Sequence, residues 1–263
     1  MRHTIAALVI VASLAACATT TSSTGRTQYV GGVSQAQLNQ LGAQAFTEAK
    51  QKGPLSNDAR QNRYVRCVVD ALVRQLPADQ RAFAWESAVF AEKEPNAYAL
   101  PGGKVGINTG LFAVAKNQDQ LAAVVAHEIG HVVERHHDER ITRQMGASGA
   151  VQLIGALAGD YGQLATQGGS ILAQTGFLLP GSRAQETEAD VVGQRMMAQA
   201  GFDPRAAVAL WQNMIGAGGN RPPQWLSTHP DPQSRISELQ VRANQLVPTW
   251  EQARAAGRRP SCG

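Results

Sequence analysis

The stretch Ala126-His127-Glu128-Ile129-Gly130-His131 constrains this chain more than any other. It follows Leu121, Val124 and Val125, apolar residues that recur at helical spacing. Asn117 followed by Gln120 fits an N-cap with its partner three positions on, and Asp119 in the first turn suits the positive end of a helix. Residues four apart on a helix share a face, so His127 and His131 point the same way and can grip one metal ion. Glu128 projects beside them. This is the H-E-x-x-H arrangement, in which two imidazoles hold zinc and the carboxylate acts as a base. A lone H-E-x-x-H also occurs by chance in unrelated helices, so the rest of the chain must supply more.

A catalytic zinc takes three protein ligands and keeps one position for water. His137 stands where the longer pattern H-E-x-x-H-x-x-G-x-x-H places a third histidine. The glycine of that pattern is replaced by Glu134, so no sharp turn is expected, the helix runs on and His137 points away. The other source is Glu186-Thr187-Glu188-Ala189-Asp190, within a helix read as Ala184 to Ala200. Glu186 and Asp190 are four apart and share a face, whereas Glu188 lies nearly opposite. Glu186 can then serve as third ligand while Asp190 accepts the free N–H of a ligand histidine and fixes its tautomer.

The surrounding chain reads as α+β. Gln35 to Lys52 and Asp58 to Leu76 are core-packing helices, the second closed by Pro77. Phe83 to Ala91, Asn96 to Leu100 and Lys104 to Asn108 read as short strands about the turn Pro101-Gly102-Gly103, a small antiparallel sheet or hairpin. Asn96, Ala97 and Tyr98 are either a connecting strand or an edge that takes an extended peptide as an added strand. Gly146 to Gly181, rich in Gly and Ala, reads as helices with a flexible middle, with a lid or a membrane-touching excursion as alternatives. Asp203-Pro204 and Asp231-Pro232 are helix-start signals, the second for a last helix Gln233 to Leu246. Hydrophobic residues at 43% and charged residues at 17% of the 263 fit a globular core, and abundant Ala and Gly favour closely packed helices. A net charge of only +4, with no dense Lys/Arg run, argues against nucleic acid as a partner.

At the N-terminus, Arg2 and His3, the apolar run Ile5 to Ala16 and the ending Leu14-Ala15-Ala16-Cys17 describe an export signal too short to span a bilayer. It resembles a bacterial lipoprotein signal, in which Cys17 receives lipid. The expected partition is signal 1–16, lipidated Cys17 with a flexible Ser/Thr-rich tether 17–34, one domain 35–247 and a polar C-terminal tail 248–263. Ala18 after the cysteine favours the periplasmic face of the outer membrane. Cys67 and Cys262 then remain as an even pair, suited to a disulfide in an oxidising compartment.

Several ordered motifs together resemble one family. They are Asn96-Ala97-Tyr98-Ala99 with Pro101-Gly102-Gly103, the His127–His131 helix, Ser182-Arg183 followed by Glu186-x-x-Ala189-Asp190, and Thr228-His229-Pro230 with Arg235-Ile236. They are similar to the zinc metallopeptidases that include HtpX, the CAAX prenyl proteases and the periplasmic proteins BepA and LoiP. The likeness covers about Asp58 to Leu246 and is nearest the soluble LoiP-like branch. It implies a mostly helical gluzincin-type α+β domain whose small antiparallel sheet offers an edge strand to the active site. It implies a single Zn2+ per chain on His127, His131 and Glu186, Glu128 as catalytic base, and Asn96, Ala97 and Tyr98 aligning substrate. It also implies a loop histidine, His229, near the metal, which either holds the enzyme latent or stabilises the oxyanion. The partners implied are unfolded or misassembled envelope polypeptides, cleaved in envelope quality control, with the membrane reached through the N-terminal lipid. The alternative is a chaperone-like or assembly factor with latent or no proteolysis.

Overall fold

The computed structural model describes residues 18–148, 177, 181–217, 224–229 and 232–263. Strands Ala18–Thr21 (β1) and Thr27–Val30 (β2) precede helices Gln35–Lys52 (α1), Ala59–Val73 (α2) and Ala78–Arg81 (α3). Strands Glu86–Phe90 (β3), Ala97–Leu100 (β4) and Lys104–Asn108 (β5) follow, then a 3-10 turn at Thr109–Ala113. The remaining helices are Gln118–Val133 (α4), His136–Ser148 (α5), Arg183–Ala200 (α6), Ala206–Ala217 (α7), Gln224–Thr228 (α8) and Pro232–Ala255 (α9). None of the described helices is long and apolar enough to cross a membrane.

The layers form around α4. Its N-cap is Asn117, whose Oδ1 accepts the Gln120 N–H at 2.9 Å. Every residue from Gln120 to His131 is buried, so the helix is covered on all sides rather than along one stripe. Val65, Val68 and Leu72 of α2, Ile107 of β5, Met197 of α6 and Leu210 and Met214 of α7 pack with Leu121, Val124 and Val125 in one core. Against α6 the contact is backbone to backbone. A Cβ on Gly130 would stand 2.7 Å from the Ala189 carbonyl oxygen, and one on Gly193 would stand 2.9 Å from that of Ala126. Glycine at these two positions brings the helix carrying Glu186 within reach of the helix carrying the histidines.

The three-stranded sheet has the order β3-β5-β4. β4 and β5 pair antiparallel, with Ala97 opposite Ile107, as the tight turn between them requires. β3 instead runs parallel to β5, with Glu86 opposite Lys104, so the sheet is mixed rather than wholly antiparallel. Residues 91–96 carry the chain past the β5 position, and the turn at Pro101-Gly102-Gly103 then folds β5 back between its neighbours. β4 is left at an edge.

Two segments depart from the sequence reading. Within the supposed tether 17–34, β1 and β2 form an antiparallel hairpin in which Gln28 and Val30 are buried. Its Ser/Thr composition looks like a linker, but polar side chains and backbone groups anchor it to the domain. Gln28 Nε2 donates to the Glu134 carbonyl at 2.8 Å, and the Gly31 and Gly32 N–H groups donate to Asp138 Oδ1 and Thr142 Oγ1 at 2.9 and 3.0 Å. At the other end, α9 does not stop before Pro248 but continues to Ala255, so 248–263 is not a separate tail. A proline inside a helix costs about 3 kcal/mol. Offsetting contacts come from Trp250, whose Nε1 donates to the Gly201 carbonyl at 3.1 Å and whose ring is met by the guanidinium groups of Arg205 and Arg254, and from buried Ala253.

A disulfide joins Cys67 of α2 to Cys262. The C-terminus thereby meets the start of α4, where Cys262 N–H donates to Gln118 Oε1 at 2.9 Å and Gln118 Nε2 donates to the Pro260 carbonyl at 2.8 Å. The proposed signal, Cys17 and most of Gly146 to Gly181 lie outside the described residues.

Candidate metal centre

One turn of α4 separates His127 from His131 and leaves their Nε2 atoms 3.2 Å apart. α6 brings Glu186 Oε2 to 3.3 Å from His127 Nε2 and Oε1 to 3.6 Å from His131 Nε2. His229, just past α8, adds an Nδ1 atom 2.9 Å from Glu186 Oε2 and 3.1 Å from His127 Nε2. All four side chains are buried, and each offers a ligand atom within 4.8 Å of the others.

The donor chemistry fits a divalent cation. His127 Nδ1 donates to Asp190 Oδ1 at 2.9 Å. His136 Nε2 donates to Glu188 Oε2 at 2.9 Å, which leaves His136 Nδ1 as an acceptor for the His131 Nδ1–H 2.7 Å away. The rings of His127 and His131 therefore carry their proton on Nδ1 and turn an Nε2 lone pair towards each other. Two lone pairs and a carboxylate facing one point are stabilised by a shared cation. With metal–nitrogen bonds of about 2.0–2.1 Å, the corners of a tetrahedral zinc site lie roughly 3.3 Å apart. The two Nε2 atoms, 3.2 Å apart, stand at that spacing, and each has one Glu186 oxygen near it, Oε2 at 3.3 Å from His127 and Oε1 at 3.6 Å from His131. Glu186 Oε1 is buried without a hydrogen-bond partner, an anionic donor ready for such an ion.

Charges around the centre are paired, which a buried ion requires. Arg235 forks onto Asp190, with Nε to Oδ2 at 2.8 Å and Nη2 to Oδ1 at 2.7 Å, and its Nη1 donates to Glu186 Oε2 at 2.9 Å. Its guanidinium lies over the Trp211 ring, 4.0 Å from the centroid. Burial raises the Asp190 pKa, but Arg235 and His127 outweigh it and bring the group to about 2. Burial also raises Glu128, but His229, with His127 and the Trp225 hydrogen bond, holds it below the usual carboxylate range. Trp225 Nε1 donates to Glu128 Oε1 at 2.7 Å, and His229 Nε2 is 3.2 Å from the same oxygen. Burial depresses His229, yet Glu186 and Glu128 overcome it and hold the ring up at about 9. His229 thus lies buried between two carboxylates, Glu186 and Glu128, that favour its charged form.

His137 is not in the cluster, though for a different reason than a continuing helix. α4 ends at Val133, and Arg135 takes a left-handed φ of 56°, so the chain does turn sharply without a glycine. The corner directs His136, not His137, towards His131. His137 instead packs edge-on to Phe177, with ring centroids 5.4 Å apart. Both line a cavity bounded by Asn96, Ala97, Tyr98 and Ala99 of the sheet edge and by Glu128, His131 and His229 of the centre. The edge strand and the His/Glu cluster therefore share one cleft.

Three contributors escape sequence reasoning: His136, Glu188 and Trp225. Glu188 sits in the acidic run and looks solvated from its helical angle, yet it is fully buried. A buried tryptophan in a short helix between loops leaves no periodic trace.

The sequence profile of Peptidase family M48 matches residues 59–243. The mitochondrial metalloendopeptidase OMA1 of Schizosaccharomyces pombe is 42% identical over 158 residues, covering 59% of this chain and 46% of that protein. The beta-barrel assembly-enhancing protease of Escherichia coli is 30% identical over 237 residues, covering 86% of this chain and 47% of the relative. The OMA1 of Arabidopsis thaliana is 35% identical over 177 residues, covering 67% and 35%. The chain thus spans less than half the length of each of these relatives.

Proposed function

The chain belongs to peptidase family M48, and we propose that it is a zinc-dependent endopeptidase of unfolded or misassembled cell-envelope proteins. The observation that carries this reading is the convergence of His127, His131 and Glu186, with donor atoms 3.2 to 3.6 Å apart, beside the buried carboxylate of Glu128. Those three residues would hold the metal. When bound, zinc supplies Lewis acidity and a water whose pKa falls towards about 7.

The chain's own groups do the rest. Asp190 keeps the His127 proton on Nδ1. Glu128 takes the proton of the attacking water and returns it to the leaving amine. Trp225 fixes the direction of that carboxylate. An extended peptide lies along β4, recognised mainly through its backbone, which suits substrates chosen for being unfolded. The envelope assignment is supported by the name of the Escherichia coli relative and by the lipoprotein-like N-terminus, with lipid on Cys17 tethering the chain to the periplasmic face of the outer membrane.

One observation favours a second reading, in which the purified protein is latent and acts as a binding factor. His229 engages both Glu186 and Glu128, at 2.9 and 3.2 Å. The test is metal content and casein cleavage by the wild type, Glu128→Gln and His229→Ala. About one zinc per chain is expected, retained in Glu128→Gln while cleavage falls at least ~100-fold. Faster cleavage by His229→Ala marks a latch, and slower cleavage a helper. Absence of zinc, or undiminished cleavage by Glu128→Gln, refutes the assignment.

A further inference from the structure

We propose that the N-terminal hairpin is part of the metal centre, with Arg26 a positioning residue that holds the His131 ring in its metal-binding tautomer through Glu188 and His136. This rests on the reading of His131 as a ligand.

Outside the centre, one further group among the described residues gathers metal-type donors: Glu134, His136 and Glu188. The chain supplies its own cation there. Arg26 Nε and Nη2 donate to the two Glu188 oxygens, both at 2.8 Å, and Nη1 and Nη2 donate to Glu139 at 2.6 and 2.9 Å. Thr24 Oγ1 donates to Glu188 Oε1 at 3.0 Å. Such forked pairs fix a carboxylate in orientation as well as in charge. Glu188 thus presents Oε2 to His136 Nε2–H in one direction only. With its proton held on Nε2, His136 can only accept at Nδ1, and the group 2.7 Å away is the Nδ1–H of His131. Two imidazoles in series therefore convert the orientation of Glu188 into a lone pair on His131 Nε2. Released from Arg26, Glu188 can rotate away, His136 can carry its proton on Nδ1, and the two Nδ1–H groups then oppose each other.

The hairpin also fixes where His136 stands. Ser23 N–H donates to Glu134 Oε2 at 3.0 Å and Gln28 Nε2 to the Glu134 carbonyl at 2.8 Å, on the residue before left-handed Arg135. A non-glycine residue persists in that conformation only where its surroundings over-determine it.

The test is the zinc dissociation constant of the full chain, by competition with a chelator, for the wild type, Arg26→Gln, Arg26→Lys, His136→Phe and Arg26→Gln/His136→Phe. Circular dichroism identifies the variants that are folded. Arg26→Gln is expected to weaken zinc binding about 10-fold, as loss of an outer contact to a ligand does. Arg26→Lys keeps the charge without the fork, and its loss should be smaller. In the His136→Phe background the Arg26 change should alter the constant by less than about twofold, because its route is already cut. Zinc affinity in Arg26→Gln within about twofold of wild type, beside a lowered Tm, would make Arg26 merely structural and overturn the proposal. So would multiplicative losses in the double variant. Should Arg26→Gln not fold, Arg26→Lys against the same background decides by the same criteria. A wild-type chain that takes up no zinc would instead defeat the assignment of His131 as a ligand, and this proposal with it.

Discussion

Gly130 offers the sharpest test of how the centre is assembled. Its missing side chain faces α6, where a Cβ would lie 2.7 Å from the Ala189 carbonyl oxygen and 3.1 Å from its Cα. The obstacle is backbone, so no rotamer change relieves it. Carbon atoms pack at about 3.5 Å or more, so Gly130→Ala must part the helices locally by roughly 0.5 Å. Alanine in place of a helical glycine gains about 1 kcal/mol, whereas overpacking costs about 1–3 kcal/mol. The metal-free protein should therefore lose only about 0–2 kcal/mol. The site should suffer far more, because Ala189 lies between Glu186 and Asp190 and its displacement moves both. Productive sites must be held within about 0.5 Å, a limit this displacement reaches, and a misplacement of 1 Å costs about 100-fold. Gly130→Ala is thus expected to lose about 10- to 100-fold in kcat/KM and to bind zinc more weakly. Urea unfolding, chelator competition and peptide hydrolysis measure the three quantities. Wild-type zinc affinity and wild-type cleavage in a folded Gly130→Ala protein would refute the close-approach reasoning.

Gly216 in α7 is the counterpart, since a Cβ there meets nothing within 4 Å. Gly216→Ala should stabilise by about 0.5–1 kcal/mol with activity unchanged, and a lower urea midpoint would contradict this. The disulfide spans a sequence separation of 195, so Cys262→Ser should cost up to roughly 5 kcal/mol, lost equally when the wild type is reduced. An unchanged unfolding midpoint on reduction would show that the bridge constrains nothing. In the metal-free protein His229 is displaced upward from 6.5 to about 9, burial opposing and Glu186 and Glu128 prevailing. Its contribution, on the order of 3 kcal/mol, is therefore fully present below about pH 6.5 and disappears as pH rises through 9. His229→Ala should flatten that part of the stability–pH curve, and identical curves for the two proteins would disprove the pairing.

Much of this arrangement is legible in the sequence because it depends on helical periodicity. The i, i+4 spacing places His127 with His131 and Glu186 with Asp190, and the structure presents each pair on one face. The α1 boundaries follow from capping chemistry, with Ser34 and Gln37 forming a reciprocal cap and Gly53 closing the helix. What is not legible depends on partners distant in sequence. Arg135 carries none of the glycine or proline signals that mark a turn, and its conformation is held by residues more than a hundred positions earlier. The strands at 18–21 and 27–30 are four residues each and lack an apolar alternation long enough to outweigh their Ser/Thr composition. Pro248 is a helix breaker by local rule, and the Trp250 contact that overrides it reaches across to Gly201.

The two histidines of α4 are held by different means that share one logic. His127 meets a carboxylate directly, Asp190, and that carboxylate is fixed by Arg235 near the C-terminal end. His131 meets a second imidazole, whose carboxylate, Glu188, is fixed by Arg26 near the N-terminal end. Both acids come from α6, which also provides Glu186. The acids at 186 and 190 face α4, while 188 points about 160° away, towards α5 and the hairpin. That side is as deeply buried as the first, so the angle that suggests solvent leads instead to a second layer of the same site. With glycines 130 and 193 setting the distance between the two helices, α6 has a single axial register that satisfies all three acids. A slip of one residue would rotate each by about 100°, leaving His127 and His136 without acceptors and the centre without its anionic donor. The site is therefore specified by the docking of one helix, and the carboxylates that meet His127 and His136 are each paired with an arginine from a different part of the chain, Arg235 and Arg26.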